Sequence, residues 1–177
     1  MKKGILIGIL LAAIAGLCFA FAGTEQKTTP NDAYLRVHIR ANSNGEADQK
    51  VKYLVRDRVV ELLTPTVAGA EDKETAMSLI RGKLGEISAA ADEVLRQNGF
   101  YYGARASLRE EEFPTRVYDE VTLEAGVYDA LIVELGTGTG DNWWCVVYPP
   151  LCFTGGNTNI VYKSKILEII DNFFHKN

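Results

Sequence analysis

Histidine is almost missing from this chain of 177 residues: His38 and His175 are the only two. Cysteine is nearly as scarce, with Cys18, Cys145 and Cys152. His175 stands two residues from the end, where a tail frays. The body of the chain therefore offers two thiols and one imidazole, one ligand short of a four-coordinate zinc site, and no metal is expected. A nucleophilic cysteine needs a neighbouring base. The sole enzymatic alternative is thus a secreted cysteine-dependent hydrolase pairing Cys145 or Cys152 with His38. Positive charge is also in deficit, 19 Lys and Arg against 23 Asp and Glu, and part of the acid is clustered at Glu110-Glu111-Glu112. Nucleic-acid binding needs a basic footprint, so it is excluded as a reading. A phosphate loop is missing too. Gly136-x-Gly138-x-Gly140 is not followed by Lys-Ser/Thr and opens no helix, so it reads as a mobile hairpin loop. There is no internal repeat and no low-complexity segment.

What is present begins with a membrane-directed segment. Lys2 and Lys3 precede an uncharged apolar run from Gly4 to Phe21, and Ala20-Phe21-Ala22 is a small-x-small cleavage site. Residues 1–22 read as an export signal cut after Ala22. An uncleaved anchor is the rival, because a run of about 20 apolar residues can span a bilayer. Lipidation at Cys18 is disfavoured by the bulky Leu17 before it. Cleavage would leave 155 residues, the size of one domain with a core large enough to fold without staples. The loss of Lys2 and Lys3 would take the formal charge from −4 to about −6. Residues 23–33 are polar and read as a flexible leader, with a single domain over 34–177.

Leu35, Val37 and Ile39 alternate with Arg36, His38 and Arg40, the pattern of a half-buried strand with one basic face. Ala41 to Gly45 break it, and Ser43 with Glu46 has capping-box spacing. A helix with Val51, Leu54, Val55, Val59, Leu62 and Leu63 on its apolar side is expected to end at Pro65. A second helix is expected over 72–97, with Asn98-Gly99 as its stop. Strands follow over 102–109, 121–123 and 128–135, then through Trp143-Trp144. A last amphipathic helix runs over 160–174. Helices and strands are segregated along the chain. This predicts an α+β domain, an antiparallel sheet of four to five strands packed against two or three helices.

Both tryptophans are adjacent, in Asp141-Asn142-Trp143-Trp144-Cys145. Neighbours in a strand point to opposite faces, so one indole is expected in the core and the other at a surface, groove or partner. Pro149-Pro150 ends the strand, and Cys152 follows. Cys145 and Cys152 can form a disulfide in an exported protein, or remain two buried thiols or part of a metal pair. Arg36, Arg40, Asn42, Asp48, Gln49, Lys52, Arg56 and Asp57 gather around one strand-to-helix turn. They read equally as a structural polar network and as a partner surface. The candidate partner-binding residues are Arg36, His38, Arg40, Asn42, Asp48, Arg56, Asp57, Trp143 and Trp144.

His38-Ile39-Arg40-Ala41-Asn42-Ser43, followed by Asp48-Gln49, Lys52 and Val55-Arg56-Asp57, resembles the first signature of the stage II sporulation protein R family. Asp141 to Cys145, continued by Pro149-Pro150-Leu151-Cys152-Phe153, resembles its second. The likeness runs from Tyr34 to Phe174. It implies a protein exported from the forespore of a sporulating bacterium towards the intermembrane space. There it would activate a membrane-embedded aspartic protease of the mother cell, which then processes the sigma-E precursor. It also implies no catalytic residue, no cofactor and no small-molecule substrate, and contact with membrane only through the signal segment or the partner.

Overall fold

Leu35, Val37 and Ile39 all lie buried on one face of a sheet, as their alternation in the first strand, β1 (Leu35–Arg40), requires. The computed structural model describes residues 30–118, 121–153 and 160–176. The segment read as an export signal lies outside the described residues, as do 23–29 of the leader. The rest of that leader is not a loose tail, since Pro30–Ala33 form a 3₁₀ turn whose Asn31 carbonyl accepts from Tyr34 N at 3.3 Å.

The helices among the described residues match the expected ones only in part. Helix α1 spans Glu46–Val67 and passes through Pro65 instead of stopping there. Pro65 removes one ladder N–H, but only Thr66 and Val67 of the helix follow it, and the burial of Val67 and Ala70 draws the chain onward. The single helix expected over 72–97 is two helices, α2 (Lys73–Arg81) and α3 (Leu84–Gln97), broken at Gly82-Lys83. Asp72 caps α2, its carboxylate accepting from Thr75 N at 2.7 Å. Gly99, at φ +80°, closes α3 as its position after the last turn indicates. Helix α4 is Ile160–Lys176.

The remaining strands are β2 (Ala104–Phe113), β3 (Arg116–Tyr118), β4 (Val121–Leu123), β5 (Gly126–Leu135) and β6 (Asn142–Tyr148). The main sheet runs β2-β5-β1-β6, and β3 with β4 makes a separate two-stranded hairpin. The fold is α+β, but the sheet is mixed and not antiparallel throughout. β1 and β5 are parallel, with Arg36 opposite Ala130 and Arg40 opposite Glu134. Parallel pairing is available because three helices and three strands intervene between them, far more chain than a hairpin would allow. β2 and β6 are antiparallel to their neighbours. The chain leaving β5 must therefore cross the C-terminal end of β1 to enter β6, and residues 136–141 make that crossing.

Residues of all four helices and the apolar positions of β1 share one core, including Val55, Ile80, Ile87, Leu131 and Ile166. The opposite face carries a second, smaller cluster of Phe113, Leu123, Tyr128, Ala130, Ile132 and Val146, beside the β3–β4 hairpin. β6 is an edge strand. Its second half, Cys145 to Tyr148, is buried, and Cys145 is bridged to Cys152 in the following 3₁₀ turn with Cα atoms 6.3 Å apart. Its first half, Asn142 to Trp144, is half-exposed.

Closing so short a loop stabilises mainly by restricting the unfolded chain. Replacing Cys145 and Cys152 together by Ser should lower unfolding free energy by about 2 kcal/mol. Denaturant melts of the double variant, against the parent with and without reductant, measure it.

Candidate interaction surface

The turn after β1 is a closed hydrogen-bond clamp. Asp48, in the first turn of α1, accepts from Ser43 Oγ (2.5 Å) and Asn42 Nδ2 (2.9 Å) on one oxygen and from Tyr102 OH (2.5 Å) on the other. Burial pushes this carboxyl up, but the hydrogen bonds from Ser43, Tyr102 and Asn42 outweigh it and hold it below its ordinary value. The Ser43–Glu46 capping box does not form. Ser43 Oγ instead accepts from Gly45 N and donates to Asp48, while Glu46 pairs with Lys50. Gln49 Nε2 donates to Ser43 O at 2.9 Å. The buried Lys52 ammonium donates to Gln49 Oε1 at 2.6 Å and to the Asp141 carbonyl at 3.0 Å. Burial pulls the Lys52 pKa down, and Asp141 partly opposes this.

The glycine run is the other half of the clamp, not a mobile loop. Asn42 Oδ1 accepts from Thr137 N at 2.9 Å, and the Asn42 carbonyl accepts from both Thr137 Oγ1 and Thr139 Oγ1. Gly140 N donates to Ala41 O at 2.9 Å, and Asp141 N to Asn44 Oδ1 at 2.6 Å. Gly136 and Gly138 have φ of +56° and +62°. A Cβ at Gly140 would overlap the Ser43 backbone, so the crossing strand and the turn can approach only through glycine. Asn42, Asp48, Gln49 and Lys52 are therefore consumed in structure.

Arg36 and His38 sit on the opposite sheet face and are buried, so neither offers the partner contact expected of it. The Arg36 guanidinium lies 4.1 Å from the Phe113 ring centre and 4.8 Å from that of Tyr128, and donates to Tyr118 OH at 2.8 Å. The hairpin strand β3 supplies that hydroxyl and so covers a charge that the sequence pattern placed on an open face. His38 stacks on Trp144, centroids 3.8 Å apart and planes 20° from parallel. Burial lowers its pKa to about 4, with Arg40 reinforcing the effect and Asn142 opposing it. Arg40 pairs with Glu111 and Glu134, and Arg109 joins the same two carboxylates.

The tryptophans do point to opposite faces, but each is half-buried in place of one inside and one outside. Trp143 packs against the helix-side core with the Arg56 guanidinium 5.8 Å from its ring. Trp144 packs against the second cluster, with Phe113 edge-on at 4.9 Å and Arg116 at 5.6 Å. Arg56 pairs with Asp57 at 2.6 Å and lies 5.0 Å from the ring of the exposed Tyr53. The residues expected around one turn thus divide among a clamp, a buried sheet face and the outer side of α1. Tyr53, Tyr102, Phe113 and Arg116 were not legible as participants. Tyr102 reaches Asp48 across 54 residues, and no local pattern marks such a pair.

Neither thiol of the hydrolase alternative is free, because Cys145 and Cys152 are bonded to each other. His175 is on α4, where its Nδ1 meets the Asp171 carbonyl at 2.9 Å.

Residues 31–158 match the family model described as stage II sporulation protein R. The chain is 36% identical over 161 residues to the stage II sporulation protein R of Bacillus subtilis (strain 168), covering 86% of this chain and 72% of that protein. No solved structure matches it.

Two outcomes are expected from this geometry. Gly140→Ala should cost about 1 to 3 kcal/mol through forced separation of the turn and the crossing loop, measurable by thermal melting. The second concerns pH. An unfolded His38 takes its proton near 6.5, but in the fold it stays neutral until about 4. Stability is therefore complete above 6.5 and falls as pH drops from there towards 4, by roughly 2 to 3 kcal/mol at most. Urea melts at pH 7 and pH 4.5 should show a loss that His38→Phe, which can keep the stack on Trp144, largely removes.

Proposed function

From the premise that this chain belongs to the stage II sporulation protein R family, we propose that it is an exported intercellular signal of sporulation. It acts from the forespore side of the intermembrane space and activates a membrane-embedded aspartic protease of the mother cell. That protease then processes the sigma-E precursor. The protein itself performs no chemistry in this reading, needs no cofactor, and meets the membrane through its signal segment or its partner.

One observation carries the reading. The family match spans both signature segments, and in the fold the first of them holds the second in place. The polar residues of the first signature are bonded to the loop that delivers Trp143 and Trp144 to an open sheet edge. A half-buried aromatic pair with arginines on both sides has the composition of a binding hot spot. The bridge between Cys145 and Cys152 supports the reading twice. It suits an exported protein, and it withholds the thiol that a hydrolase would need.

A reconstituted assay with the purified protease, the precursor and this protein tests it. Processing should depend on the protein. Trp143→Ala should reduce processing at least tenfold at a temperature where thermal melting shows the variant still folded. Trp144→Ala should reduce processing and also cost roughly 3 kcal/mol, since it removes the support of His38 and Phe113. Wild-type processing by both variants would remove the tryptophans from the recognition surface. Hydrolysis of a substrate by the protein alone, abolished by His38→Gln, would favour the hydrolase.

A further inference from the structure

The open half of β6 and its flanking arginines specify more than a sticky surface. β6 closes the sheet on one side, with β1 as its one strand neighbour among the described residues. On such an edge, alternate residues turn their N–H and C=O groups away from the sheet, where they can pair with another strand. The second half of β6 is buried beside the disulfide-linked turn. The first half, Asn142 to Trp144, is half-exposed, and the residue before it is tied to α1 by Lys52 on the Asp141 carbonyl.

An arginine stands on each side of this half-edge, and the carboxylate of Asp57 lies beside the first of them. On the helix side Arg56 stands over Trp143, and on the hairpin side Arg116 stands over Trp144. Arg116 is exposed, and its one side-chain hydrogen bond among the described residues is a long one to the Thr115 carbonyl, 3.4 Å. Arg56 is held by Asp57, whose side chain is 63% exposed, so that pair is weak and open to exchange. An added strand would lie about 4.8 Å from β6, and its successive side chains would point to opposite faces. Two adjacent acidic residues on it would then meet Arg56 on one face and Arg116 on the other, each beside an indole.

We propose that the edge of β6 over Asn142–Trp144 receives an extended acidic segment from the extracytoplasmic part of the protein partner, which adds to the sheet as a fifth strand. Main-chain pairing supplies affinity that depends little on sequence, and the alternating arginines supply the choice of an acidic segment. This rests on the activator reading above. It adds the mode of binding and the chemistry of what is bound.

The experiment is amide hydrogen exchange on the full exported protein, alone and with the purified membrane protease in detergent, run beside the processing assay. Outward amides of residues 142–144 should exchange at least tenfold more slowly in the complex. Arg56→Glu combined with Arg116→Glu should weaken binding tenfold or more without shifting the melting temperature, and binding by the parent should fall as salt rises. Processing and binding with no protection at 142–144 would overturn the added strand and leave the activator reading standing. Protection there, with the double reversal binding as well as the parent, would overturn the acidic segment. Failure of the protein to bind the protease or to stimulate processing would remove both readings.

Discussion

Asp48 receives hydrogen bonds from groups that arrive by separate routes: Asn42 and Ser43 from the end of β1, and Tyr102 from the approach to β2. Asn42 in turn carries the crossing loop through Thr137 and Thr139, and Lys52 carries its far end through the Asp141 carbonyl. The placement of β6 therefore depends on one carboxylate in the first turn of α1. A buried polar network of this kind is stabilising only when its members are paired, because each orphaned donor or acceptor carries its desolvation penalty. That constraint explains why small side chains and glycine recur on both sides of the turn. A clamp this close leaves no space for a Cβ at Gly140.

The two faces of the sheet solve burial differently. The helix side is an ordinary apolar core. The other side buries a guanidinium and an imidazole among aromatic rings, with the hairpin hydroxyl of Tyr118 as the polar anchor. Cation–π contact offsets part of the cost of removing Arg36 from water. Beyond the rings the same face turns ionic, where Arg40, Arg109, Glu111 and Glu134 form a crossed set of pairs. The result is a graded surface, from a greasy end under the hairpin to a charged end near the clamp, with Trp144 at the transition.

β6 combines a rigid half and an open half in seven residues. Burial and the bridge to Cys152 fix one end, and the clamp fixes the other. An edge strand held so firmly at both ends loses little conformational freedom on binding, which is the condition for an added strand to form without a large ordering cost. An exposed edge is ordinarily an aggregation hazard. Here the open part is short, bulky and flanked by charge, features that limit indiscriminate pairing.

Local pattern was enough for β1, the stop at Gly99, the tryptophan strand and the opposite pointing of its two indoles. These follow from side-chain period and from the dihedral freedom of glycine, both properties of a few neighbouring residues. The two signatures are likewise legible in the sequence as family marks. Other features were decided only by the tertiary structure. The parallel pairing of β1 with β5 depends on which edge a distant strand reaches. The passage of α1 through Pro65 depends on what Val67 and Ala70 find to pack against. The burial of Arg36 and His38 required remote segments to close a face whose alternation resembled an exposed one: Tyr118 of β3 over Arg36, and Phe113 and Trp144 over His38. The role of Asp48 was ambiguous because its decisive partner, Tyr102, lies 54 residues away. Periodicity reports which side of an element a residue is on; what stands opposite that side is set by contacts between segments remote in sequence.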